Sequence, residues 1–455
     1  MNRLIFIIAF VTALFVVCTG CRGKSESGEA AKLSPDAPIW ACPTGNFKGD
    51  NFTSLKCPTA PAISWEIDLK GNECTPPIIN HEGNIIIGTS EGLQCFNPEG
   101  KQVWTADVST HIKCLPVLDN ESRIIVPYGE KLVFLNRHGK TITTKTITKY
   151  ATHQPTVDAL GRIYVYCMEP VDMKQLAPEP PADLAAQSTF LGHIYMYEPK
   201  ELKEEFHIKT GIINCPIRIS PFKNYIDFAF YGPKLFDSWR VDEPSDPVKW
   251  KTNLVFFTTG RKIPIEGIEH GIVDMFADRE GTIHFFGHTE HQPYPEELNA
   301  PVNEFGFVYR VLLFSYNPEE NIVRKEHWPW MTPEEASAGT YKEYRRHFNR
   351  VRFLYNAKGL ESYAPAFVQS EAENNIRDEV IDFVKGCLYM IMTEDGYIIG
   401  GTDSIRCFDV KLNKVIWEID GDPSTVALGG DGGMYCLLRL PDEDKCVLRS
   451  YVDNK

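Results

Sequence analysis

The chain has 455 residues and a formal net charge of −14. Nucleic-acid backbones are held by clustered Lys and Arg, so this charge balance excludes nucleic acid as the expected partner and chiefly confers solubility. The length exceeds the roughly 250–300 residues that one hydrophobic core fills, which leaves several domains or a repeat architecture.

Met1-Asn2-Arg3 precedes an unbroken apolar run from Leu4 to Val17, the charge-then-hydrophobe order of a secretory signal. The run is shorter than the roughly 20 apolar residues that cross a bilayer. Val17-Cys18-Thr19-Gly20-Cys21 resembles the lipobox of bacterial lipoproteins, with Cys18 where leucine is commonest. The resemblance implies a signal peptide over 1–20 and a diacylated Cys21 as mature N-terminus; an ordinary cleaved signal is the alternative. Arg22 to Asp36 is polar and has little to bury, so 21–39 is expected to be a flexible tether, with a domain over 40–455.

Of the 13 cysteines, 11 remain when Cys18 and Cys21 are set aside, and an odd number cannot all pair. None of the 11 forms a Cys-x-x-Cys. Cys42 and Cys57 bracket a short loop at the start of the domain and are the expected disulfide, whereas Cys95 and Cys407 sit in apolar strands and read as small core hydrophobes.

Pro77, Pro116 and Pro155 recur at a step of about 39 residues, and Asn80, Asp119 and Asp158 keep that step, as do Ile85, Ile124 and Ile163. Each unit reads as short apolar strands separated by Gly and Asn turns, with a Gly-Lys hairpin and often a Trp at its end. In the first unit these are Ile85-Ile86-Ile87-Gly88, Leu93-Gln94-Cys95-Phe96, the turn Asn97 to Lys101, and Trp104. Asp395 to Thr402, Ile405 to Asp409 and Trp417 repeat the pattern near the C-terminus. Four-to-six-residue strands at this period predict an all-β chain, a β-propeller of four-stranded antiparallel blades. Turn signals near Gly83, Ser122, Gly161, Asn224, Gly281, Gly396 and Gly432 mark seven units, and the interval from Gly281 to Gly396 has room for one more. Eight blades are expected, with seven the alternative. Ser64 to Ile67 beside Leu448 to Tyr451 would complete one blade from both chain ends. Insertions are expected near 168–190, 288–303 and 332–352, the last opening as a helix at Thr332-Pro333-Glu334-Glu335.

These units resemble the pyrroloquinoline-quinone-like repeat. That family holds quinone-dependent dehydrogenases, a cofactor-free outer-membrane assembly lipoprotein and many other envelope proteins. The dehydrogenases use an adjacent cysteine pair and an acidic calcium site; this chain has no Cys-Cys dipeptide, so no cofactor and no catalytic residue are assigned. The resemblance therefore implies a lipid-anchored protein of the bacterial cell envelope, at the outer membrane facing the periplasm. Its expected role is non-catalytic binding or scaffolding through blade loops, with outer-membrane protein assembly as a specific version. The alternative is a degenerate quinoprotein dehydrogenase or another envelope enzyme with its site in the propeller funnel.

Two further clusters carry bland readings. His284, His288, Glu290 and His291 are expected to run from a strand into an exposed loop and not to bind metal. Lys342, Arg345, Arg346, Arg350 and Arg352, with Tyr341, Tyr344 and Phe348 at helical spacing, read as the solvated side of an amphipathic helix.

Overall fold

The computed structural model describes residues 36–171 and 189–210 apart from short gaps, the strands between 218 and 327, and residues 378–454 apart from 441–444. Cys21, the signal peptide and most of the tether lie outside the described residues. So do most of the insertions 168–190 and 288–303 and all of 332–352, including the helix start at Thr332 and the basic run.

The repeat begins in the backbone. Asn80 Oδ1 accepts from the N–H groups of Glu82 and Asn84 at 3.0 and 2.9 Å. Asp119 Oδ1 does the same for Glu121 and Arg123, and Asp158 Oδ1 for Leu160 and Arg162. These buried side chains replace missing backbone partners and fold the chain back on itself. The reversal ends in a positive φ at Gly83, Ser122 and Gly161, and again at Gly396 and Gly432. The other two expected turns, at Asn224 and Gly281, lie outside the described residues.

Seven sheets follow among the described residues, each built on an antiparallel meander of four strands counted from the inside outward, and two of them carry a short fifth strand, Tyr150–Ala151 in one and the parallel Phe52–Thr53 in another. The first blade joins Ile78–Ile79, Ile85–Thr89, Gly92–Phe96 and Gln102–Ala106; the second joins Val117–Leu118, Ile124–Tyr128, Lys131–Leu135 and Thr141–Thr146. The third is Thr156–Val157, Ile163–Val171, Thr189–Tyr197 and Glu204–Thr210, and the fourth Arg218–Ile219, Ile226–Gly232, Lys251–Phe256 and Arg261–Ile265. The fifth is Ile272–Ala277, Ile283–His291, Val308–Asn317 and Ile322–His327, and the sixth Tyr389–Thr393, Tyr397–Gly401, Ser404–Asp409 and Lys414–Asp420. The seventh takes Ala427–Leu428, Met434–Leu440 and Lys445–Asp453 from the C-terminus and Pro61–Asp68 from the N-terminus. The all-β propeller is thus present with seven sheets, not the preferred eight, among the described residues. The interval expected to hold another blade contains the outer strands of the fifth and the helix Asp378–Lys385 that introduces the sixth; residues 328–377 lie outside the description. That helix, unmarked in the sequence reading, buries Val380, Phe383 and Val384 against Met390, Met392 and Phe408. Among the described residues no helix is long and apolar enough to cross a membrane.

Packing explains the consecutive isoleucines. A blade is covered on both faces, so its middle strands need apolar residues at every position, not at every second one. Alternation then decides which neighbour each side chain meets. Ile86 packs with Leu118, Ile124 and Val126 of the second blade. Ile85 and Ile87 turn the other way, toward Met434 and Leu448 of the seventh. Ile125 and Phe134 continue the series onto Ile163 and Tyr197 of the third.

Outer strands carry the tryptophans. Trp104 donates Nε1–H to the Arg137 carbonyl at 3.1 Å, and its ring fills the space where a Cβ on Gly139 would lie, 2.6 Å away. Trp417 donates to the Pro58 carbonyl at 2.8 Å. The expected pairing of the chain ends is present, with Ile63 opposite Tyr451, Trp65 opposite Ser450 and Ile67 opposite Leu448. Where the first and second blades have a turn led by Asn97 and Asn136, this blade has two chain ends, and Asp453 supplies the acceptor: its Oδ1 takes the N–H groups of Thr59 and Ala60 at 2.7 and 2.8 Å.

Candidate functional site

A propeller offers two kinds of surface for recognition, the inner edges that line its channel and the connections at its rims. At the inner edges, the N-terminal segment has already formed pairs. Trp40 and Ile79 exchange both backbone hydrogen bonds at 3.0 and 2.9 Å. The Ala41 carbonyl accepts from Leu118 N–H at 2.8 Å, on the innermost strand of the second blade. Phe52–Thr53 then runs parallel to the innermost strand of the sixth blade, with Phe52 opposite Met392. Trp40 and Cys42 are fully buried by this course. The segment thereby occupies inner edges of the first, second and sixth blades, and an unpaired edge is a strand's main means of taking another chain.

At one rim the blades differ. The second and third strands are joined by two residues in the first blade, Ser90 and Glu91, in the second, Gly129 and Glu130, and in the sixth, Thr402 and Asp403. In the third, fourth and fifth blades the same connections run from Val171 to Thr189, from Gly232 to Lys251 and from His291 to Val308. The three long connections thus belong to consecutive blades, and their residues 172–188, 233–250 and 292–307 lie outside the described residues.

A cluster of titratable side chains stands on the third blade, near the strand ends at Val171 and Thr189. Register places Cys167 opposite His193 and Tyr195 opposite His207, so Glu169, His193 and His207 become diagonal neighbours on three adjacent strands. His193 Nε2 is 3.0 Å from Glu169 Oε2, and its Nδ1 is 2.8 Å from His207 Nε2. Tyr195 stacks on His207 with centroids 4.2 Å apart. The chain of hydrogen-bonding groups leads from buried His193 to exposed His207. The ring nitrogens face one another, and among the described residues no group of three or more His, Cys, Asp or Glu is gathered as a metal would need. Sequence reading missed this cluster because its members are 24 and 14 residues apart and meet only through strand register.

The residues singled out from sequence fare differently. Cys42 and Cys57 are not joined: Cys42 packs with Val117 and Phe134 and donates to the Asn46 carbonyl at 3.1 Å, whereas Cys57 packs in another core with Tyr435 and Cys407. The two half-loops are drawn to opposite sides by different blades, which overrules their closeness in sequence. His284 is buried with Nδ1 2.9 Å from Ser315 Oγ, and the strand continues through His288 and Glu290 to His291. The residues expected to enter an exposed loop are therefore strand as far as His291, and 292–307 lie outside the described residues. At about 3.3 Å per residue, its first and last histidines stand roughly 23 Å apart along it, too far to share an ion.

No protein-family model matches the chain, and no curated protein does. Among solved structures, it is similar to a quinohemoprotein alcohol dehydrogenase from Comamonas testosteroni, at 10% identity and a TM-score of 0.36, covering 94% of this chain and 82% of that one. It is also similar to the Dos1 propeller, at 8% identity and a TM-score of 0.35, covering 82% of this chain and 76% of that one. The propeller assignment rests on the sheets described above.

Proposed function

We propose that this chain is a lipid-anchored cell-envelope propeller of pyrroloquinoline-quinone-like repeats that serves as a non-catalytic binding or scaffold protein. The observation that carries this reading is the course of Trp40 to Thr53, which satisfies inner edges of three blades with the protein's own backbone. A funnel enzyme reads its substrate from those edges; here recognition is left to the rim. The long connections of the third to fifth blades are the segments assigned to a protein partner, with outer-membrane protein assembly as its specific setting. Cys21 supplies the lipid, and residues 22–39 the distance from the membrane.

Affinity capture from a solubilised envelope tests the assignment. A stoichiometric partner is expected, and it is lost when the connection from Val171 to Thr189 is replaced by a two-residue turn like that of the first blade. A rise in melting temperature with added pyrroloquinoline quinone and calcium, accompanied by dye reduction with alcohols or sugars, would overturn it in favour of a quinoprotein. Cys21→Ser is expected in the soluble periplasmic fraction, and unchanged membrane association would remove the anchor.

A further inference from the structure

Five cysteines from distant parts of the chain are buried in one hydrophobic cluster beneath the joined chain ends, Cys57, Cys74, Cys407, Cys436 and Cys446, and all but Cys436 have another thiol as a close neighbour. These four converge in pairs. The Cys57 thiol lies beside that of Cys407, and the Cys446 thiol beside that of Cys74, each near enough to disfavour ionisation of its neighbour. Backbone geometry accounts for both approaches independently. Cys407 lies opposite Trp417 across the strand pair of the sixth blade, and the Trp417 indole holds the carbonyl of Pro58, the residue after Cys57. Leu69 N–H donates to the Cys446 carbonyl at 2.9 Å, and the chain then turns so that Cys74 bridges Thr89 of the first blade.

We propose that the mature protein carries two disulfides, Cys57–Cys407 and Cys74–Cys446, which fasten the N-terminal segment to the sixth and seventh blades. The first ties the residues leading into the outer strand Pro61–Asp68 to the blade before; the second ties the residues leaving it to the strand that pairs with it. Both lie on either side of the one place where the ring depends on chain ends instead of a continuous meander. The pairing rests on the proposed export of the chain, since an oxidising compartment is needed to keep it.

Each link forms by exchange with a disulfide donor. A protein thiolate attacks the donor disulfide and releases one donor thiol, and the second protein thiolate displaces the other. Two protein thiols and one donor disulfide give one protein disulfide and two donor thiols, so protons and electrons balance. Burial and then the Cys446 thiol raise Cys74, and the Cys57 thiol and then burial raise Cys407, well above the ordinary thiol range, so exchange takes place before the core closes over them.

The test is peptide mapping under non-reducing conditions of two preparations, mature protein refolded with reduced and oxidised glutathione and the full-length protein isolated from cells. Both links are expected in both preparations. The melting temperature of the refolded protein is expected to fall by several degrees when dithiothreitol is added, and that response is expected to vanish in Cys57→Val/Cys74→Val. A Cys42–Cys57 link, or four alkylatable thiols after refolding in glutathione, would overturn the proposal. Links present after refolding but absent from the cellular protein would overturn the exported state on which it rests while leaving the pairing geometry intact.

Discussion

The indole of Trp65 lies over Gly100, in the space a Cβ would enter at 2.8 Å, and donates Nε1–H to the Pro98 carbonyl at 2.8 Å. The outer strand of the seventh blade is thereby keyed into the last turn of the first. Trp104 and Gly139 repeat the relationship between the first and second blades. Gly100→Ala is expected to cost about 2–3 kcal/mol, from a positive φ and a displaced ring together. Gly83→Ala has a similar φ but meets only Pro98 Cγ at 3.4 Å, and is expected to cost roughly 1 kcal/mol. Urea denaturation of the two variants separates the terms; equal losses would show that the ring contributes nothing.

Asp119 is buried with its Oδ2 2.5 Å from Arg123 Nε, while its Oδ1 holds two backbone N–H groups. Asp119→Ala strands a largely buried guanidinium and two donors and is expected to cost about 3–5 kcal/mol. Asp119→Asn keeps the Oδ1 acceptor and is expected to lose less. Denaturation midpoints for the pair check the order.

Burial pushes the Cys95 thiol up from 9.0 to about 12, with Glu82 adding to the shift. A thiol that ionises at about 9 when unfolded and about 12 when folded leaves the unfolded chain with fewer protons between those values. Stability from this group is therefore complete below pH 9 and falls as pH rises toward 12, by about 1.4 kcal/mol per unit. Wild type is expected to lose its advantage over Cys95→Val at that rate between pH 9 and 11, measured by denaturation at each pH. Native Cys95 is also expected to resist iodoacetamide at pH 8.5 and to react on unfolding.

Asp453 stands in for a turn that the chain does not have. Asp453→Ala frees the N–H groups of Thr59 and Ala60 at an exposed site, so its cost is expected near 1 kcal/mol. Glu66→Gln, which weakens the exposed pair with Arg449, is expected to cost about 0.2–1 kcal/mol. Removal of 445–455 is a different event: Met434–Leu440 and Pro61–Asp68 lose their common partner. That variant is expected to lose cooperative unfolding by calorimetry.

The regular blades were legible because the residues that make their turns are also the residues that recur. Asn80, Asp119 and Asp158 each act on the backbone two and four residues ahead, so the 39-residue step and the structure are one pattern. The pairing of Ser64 to Ile67 with the last strand was legible from the blade each would otherwise leave incomplete. By contrast, Trp40 and Ala41 meet Ile79 and Leu118 through backbone groups, which leave no mark on residue type. The Glu169, His193 and His207 cluster and the two cysteine pairs depend on register across strands, so separation along the chain says nothing of them. Cys42 and Cys57 show the converse, close in sequence and assigned by packing to different cores.

Pro61–Asp68 is synthesised long before Lys445–Asp453, the strand it must join. A nascent chain therefore holds an apolar first strand and an open first blade for almost the whole of translation. Loop closure over nearly the full length is slow, and it waits for the last nine-residue strand. A message cut short, or a product clipped near its end, never acquires the strand that hides the first one, and stays open to proteases. The position of the join makes the molecule a check on its own completeness.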